Sequence, residues 1–130
     1  MKRALLGFHG ESDEFFVELG LQLDFEGYLE WERVNSVDEM LEKMGLSADS
    51  IPDMAPQKPY DLYVMDVNLG SPNSTSYSQA AAVYEHVKEA VKAGEARFLA
   101  VSANEEAVKA AKEAGIPCCD KMKTFDELFD

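Results

Sequence analysis

The chain has 130 residues, 46% of them apolar and 10% aromatic, which suits one packed domain spanning residues 1–130. Its 12 basic residues face 25 acidic ones, and the resulting formal charge of −13 repels phosphate backbones and anionic lipid, so direct binding to nucleic acid or to a membrane surface is not expected. No apolar stretch approaches the ~20 residues of a membrane span, and MKRALLGF is too short an apolar block for a signal peptide, which points to the cytoplasm.

Ala4 to Phe8 is a short apolar run broken by His9 and Gly10, the pattern of a first strand. A helix is predicted to start at Ser12, with Phe15, Phe16, Leu19 and Leu23 on one face; Gly20 weakens it and Gly27 stops it. Tyr28 to Val34 alternates aromatic or branched residues with charged ones, which predicts a second strand near a sheet edge with Trp31 as a packing residue. Ser36 to Glu39 has the form of a capping box, opening a helix whose inner face carries Val37, Met40, Leu41 and Met44.

After a proline-containing connection from Leu46 to Pro59 comes YDLYVMDVNLG, residues 60–70, the most informative stretch of the chain. Leu62 to Met65 is too brief for a helix and suits a strand buried on both faces. Asp66 closes it, at the strand end where open parallel sheets place their ligands. Asn68 and Gly70 are also turn formers, and position alone leaves a turn role for Asp66 open.

The polar stretch SPNSTSYS then precedes a helix predicted over Ala80 to Ala93, and Phe98 to Val101 is a fourth strand. Ser102 to Glu105 reads as a capping box leading into EEAVKAAKEAG, which is either an ordinary solvated helix or one whose alanines let a partner surface approach closely. Pro117 to Cys119 is a short fifth strand, and Thr124 to Glu127 is a further capping box opening a last helix. Cys118 and Cys119 are adjacent, which does not suit a structural disulfide, and with His9 and His86 far apart nothing resembles a zinc site. Five alternations of strand and helix predict a parallel sheet with helices on both faces.

In such a sheet Asp66, Ser102 and Lys121 fall at the carboxyl ends of three different strands. A carboxylate, a hydroxyl and an ammonium in one crevice suit phosphoryl chemistry, as nucleophile, donor and counter-charge. Each also has an ordinary structural role, as turn former, helix cap and surface charge.

With these residues in place the chain resembles the receiver domains of two-component response regulators over nearly its whole length, through YDLYVMDVNLG, FLAVSANEEAVKAAKEAG and CCDKMKTFDELF. The resemblance implies a flavodoxin-like five-stranded parallel sheet of strand order 2-1-3-4-5. It also implies Asp66 as phospho-accepting residue, Ser102 as switch hydroxyl and Lys121 as the lysine that pairs with the phosphoryl group. It implies a magnesium ion held by Asp66 and the Asn68 carbonyl; Glu11, in the loop after the first strand, is the acid that could stand in for part of the family's acid pair, and weak binding at best is expected. The implied partners are a histidine kinase or another signalling protein, with homodimer formation also implied, and the implied function is regulated protein binding rather than enzymatic turnover.

The chain departs from the family pattern as an atypical or degenerate member. Phe8 and His9 stand where receivers carry two adjacent acids, Met122 replaces the proline after the lysine, and Cys118 replaces the aromatic switch residue. These departures open a second reading, a pseudo-receiver that docks a partner without phosphoryl transfer. Asp66-Val67-Asn68 is also similar to the signature of haloacid-dehalogenase-type enzymes, which keeps a small phosphotransferase or phosphatase as a remote third. Because the last helix would stop within two turns, the chain is expected to be an excised domain.

Overall fold

Residues 2–8, 13–46, 54–67 and 77–129 are described by the computed structural model of the chain. Five strands, β1 (Lys2–Gly7), β2 (Tyr28–Val34), β3 (Leu62–Asp66), β4 (Arg97–Ser102) and β5 (Cys118–Asp120), alternate with five helices. These are α1 (Asp13–Phe25), α2 (Val37–Lys43), α3 (Ser78–Lys92), α4 (Glu105–Glu113) and α5 (Thr124–Phe129). All strand pairs are parallel, as expected from the alternation, and the order across the sheet is β2-β1-β3-β4-β5, the order that the resemblance implies. β2 lies at one edge, where its alternating charges are tolerated. β3 is central and buried at every position, which is why its sequence reads as a continuous apolar run rather than an alternation.

Successive residues of each strand point to opposite faces, so the sheet separates two cores. Leu6, Leu62, Val64 and Val101 pack with Leu19 and Leu23 of α1 and Leu128 of α5. Leu5, Tyr63, Met65 and Phe98 pack on the other face with Met40 of α2, Val83 and Val87 of α3 and Val108 of α4. Cys118 and Cys119 are divided between the two cores and are both free. Burial, and then the neighbouring Cys119, pushes the Cys118 thiol up to about 11, so at neutral pH it is protonated and a poor nucleophile. Among the described residues no helix is long and apolar enough to cross a membrane.

Three local expectations need correction. α4 is capped by Asn104, whose side chain accepts from the backbone of Glu106 and Ala107, and not by Ser102. β4 runs through Ser102, so a helix cannot begin there; the Ser102 hydroxyl instead accepts from Asn104 N at 3.0 Å. Thr124 is already helical and donates to the Lys121 carbonyl, while Asp120 caps a single 3-10 turn over Lys121–Lys123. The alanines of α4 are not a partner surface either. Ala107 and Ala111 are fully buried, and their small size lets the helix lie close to the sheet while Glu105, Glu106, Lys109 and Lys112 face solvent. Ser36, by contrast, caps α2 as expected, accepting from Glu39 N.

Gly20 has a tertiary reason to be glycine. A Cβ there would lie 2.9 Å from two ring carbons of Trp31, and that ring is held by its indole N–H donating to Asp24 at 2.9 Å. The cost in helix propensity is accepted so that α1 can sit against β2. Gly20→Ala is therefore expected to lower unfolding free energy by about 1–3 kcal/mol through overpacking, although alanine favours a helix by roughly 1 kcal/mol. In a Trp31→Phe background the same change should be neutral or stabilising. Urea titration of the four proteins checks this, and a stabilised Gly20→Ala single variant contradicts the packing.

Candidate functional site

The strand register explains how distant residues meet. Asp66 is level with Val101 on β4, and Val101 is level with Cys119 on β5. Lys121 follows Cys119 by two residues, so it leaves the sheet just above the level of Asp66 on the same edge. The Asp120 cap on Met122 N and the Thr124 hydroxyl on the Lys121 carbonyl fix the turn from which the lysine projects. Its ammonium reaches back across β4 and stands 3.2 Å from Asp66 Oδ1. The Asp66 side chain is 10% exposed and that of Lys121 25%, so the pair is shielded but keeps access to solvent.

Ser102 ends β4 one residue beyond the level of Asp66, and its hydroxyl is anchored by the turn to Asn104. The structure thus brings Asp66 and Lys121 into contact and puts Ser102 at the end of the strand between them. Asn68 and Glu11, the other expected metal donors, lie outside the described residues.

Phe8 occupies the place after β1 where an acid would serve a cation, and it is fully buried in the core shared with Leu19 and Leu23. The described part of the site does not fit a magnesium ion. Magnesium needs several oxygens in near-octahedral order, whereas no three His, Cys, Asp or Glu side chains come together among the described residues, and Asp66 is already paired with an ammonium. What the arrangement does hold is a shielded carboxylate with its counter-charge in place, suited to nucleophilic attack on an electrophile that leaves negative oxygens beside Lys121.

A second polar cluster lies near the amino ends of the strands. The Tyr60 hydroxyl donates to Glu32 at 2.6 Å and Arg3 stacks over the Tyr60 ring while pairing with Glu30. Burial, and then the bond to Glu32, raises the Tyr60 phenol well above its ordinary range. This cluster ties β1, β2 and the entry to β3 together at the sheet end opposite Asp66.

Comparison with protein-family models gives no match, and comparison with curated proteins gives none. Among solved structures the chain is similar to the receiver domain of the histidine kinase CKI1 from Arabidopsis thaliana, crystallised as a complex with Mg2+ and BeF3−. The TM-score is 0.55 and the identity 24%, over 95% of this chain and 83% of the other. The chain therefore has the receiver-domain fold.

The partly buried pair predicts measurable coupling. Lys121→Met should lower unfolding free energy at neutral pH by about 1–3 kcal/mol, because the shielded Asp66 carboxylate loses that ammonium. Most of the loss should return in Asp66→Asn/Lys121→Met. Strict additivity of the two substitutions in urea melts would contradict an energetic link between them.

Proposed function

We propose that this receiver-fold chain, taken as one domain over residues 1–130, is a signalling module regulated at Asp66 that acts by binding another protein. The observation that carries this reading is the 3.2 Å contact between Asp66, at the end of β3, and Lys121, in the turn after the non-adjacent β5. An Asp66 oxygen attacks the phosphorus of a donor, the donor's leaving group departs with the bonding electron pair, and an acyl phosphate remains. Lys121 neutralises its oxygens and the Ser102 hydroxyl donates to one of them. The donor is a histidine kinase or another signalling protein, a reading supported by the fold likeness to a histidine-kinase receiver domain. The charge of −13 supports a protein partner over nucleic acid or membrane.

Magnesium has a weak place here, with Glu11 and the Asn68 carbonyl as the candidates beside Asp66 and no acid pair after the first strand. The complete burial of Phe8 favours a second reading, the same fold as a constitutive docking domain without phosphoryl transfer. Intact-mass measurement after incubation with phosphoramidate or acetyl phosphate, with and without magnesium, separates them. The first reading predicts one phosphoryl adduct that forms slowly, gains little from magnesium and is lost in Asp66→Ala. No adduct on the folded chain favours the second reading, and an adduct that survives Asp66→Ala contradicts the assignment of the acceptor.

A further inference from the structure

Thr124 stands at the start of α5, where a threonine ordinarily turns its oxygen forward to accept from amides of the first helical turn. Its hydroxyl instead donates backward to the Lys121 carbonyl at 2.8 Å. The Thr124 amide donates to the same oxygen, so this one residue fills both acceptor positions of the carbonyl. A backward bond of this kind does not help the helix that follows, and yet the side chain that makes it is fully buried.

The Thr124 side chain is also hydrogen-bonded to the Cys119 thiol. Since the hydroxyl proton is directed at Lys121, the thiol is the donor and Thr124 Oγ1 the acceptor. Cys119 is level with Val101, and Val101 is level with Asp66. Oγ1 therefore joins β5 at the height of Asp66 to the stretch of backbone from which the lysine leaves. From that origin the Lys121 ammonium stands 3.2 Å from Asp66 Oδ1.

Asp120 also caps this turn, accepting from Met122 N at 2.8 Å, but that bond is exposed and water can take its place. Thr124 is closed to water, so nothing replaces its hydroxyl once removed. The backbone bonds of a 3-10 turn have poorer geometry than those of an α-helix, which leaves the turn more dependent on such a side chain.

We infer that Thr124 is a positioning residue, whose hydroxyl sets the height and direction from which Lys121 reaches Asp66. Its effect on phosphoryl transfer rests on the reading of Asp66 as the regulated acceptor; its effect on the contact between Asp66 and Lys121 does not.

Thr124→Val keeps the side-chain shape and removes the hydroxyl, while Thr124→Ser keeps the hydroxyl. In each background the coupling between Asp66→Asn and Lys121→Met is read from urea melts, a cycle in which the stability cost of the Thr124 substitution itself cancels. The coupling should largely vanish with Thr124→Val and persist with Thr124→Ser. The second readout is the rate at which acetyl phosphate labels the chain, followed by intact mass. Thr124→Val should be labelled about tenfold more slowly, and Thr124→Ser near the wild-type rate. Undiminished coupling in Thr124→Val, labelling of that variant at the wild-type rate, or absence of coupling in the wild-type chain would overturn the inference. So would equal loss in both variants, which would assign the effect to packing and not to the hydroxyl. The two proposals stay separable: a wild-type chain that takes no label removes the regulated acceptor alone, and the coupling then decides the role of Thr124.

Discussion

The contact between Lys121 and Asp66 depends on a constraint that governs the whole molecule: five strands run in one direction, so all their carboxyl ends emerge on one edge. Residues separated by more than fifty positions in the chain are then brought within reach by register alone, Asp66 to Val101 to Cys119, with Lys121 just beyond. Burial of β3 on both faces fixes the height of Asp66, and the capped turn after β5 fixes the origin of the lysine. The backbone positions of both residues are thereby set before the lysine side chain gives up its rotamer freedom to reach across β4.

The two faces of the sheet are put to different uses. One is covered by α2, α3 and α4, with Ala107 and Ala111 allowing close packing, while the other has α1 and the short α5. Arg97 holds the carboxyl end of α5 by donating to the Glu127 and Leu128 carbonyls, which gives a six-residue helix a fixed end. α1 is anchored by Trp31 against Gly20 and still leaves Val17, Leu21 and Phe25 in solvent. Leu19 and Leu23 of α1 share one core with Phe8 at the end of β1.

Much of this was legible in the residues because the strong signals are local. The bounds of β2 are those read from alternation between Tyr28 and Val34, the parallel sheet follows from the repeated strand and helix pattern, and its strand order is the one the resemblance to receivers implied. The meeting of Asp66 and Lys121 was legible because one closes and the other soon follows a short apolar run read as a strand, and because receivers pair them. Caps were less so: Ser102 and Asn104, or Thr124 and Asp120, offer competing side-chain oxygens a few residues apart, and the length of the preceding strand decides between them. Gly20 read as a weakness because its reason is a ring brought in by another element. The alanines of α4 read as surface because small residues carry little apolar signal. The outer row of α1 was present in the spacing of Val17, Leu21 and Phe25 but is masked by the stronger inner stripe. Asn68 and Glu11 lie outside the described residues.

The central claim is that Asp66, Lys121 and Ser102 form one responsive centre at the strand ends. Amide NMR of the 15N-labelled chain before and after exposure to phosphoramidate tests it most directly. The account predicts changes at residues 66–67, 102–104 and 120–123 together, absent in Asp66→Ala. Unchanged amides at these three segments, or the same changes in Asp66→Ala, would contradict it.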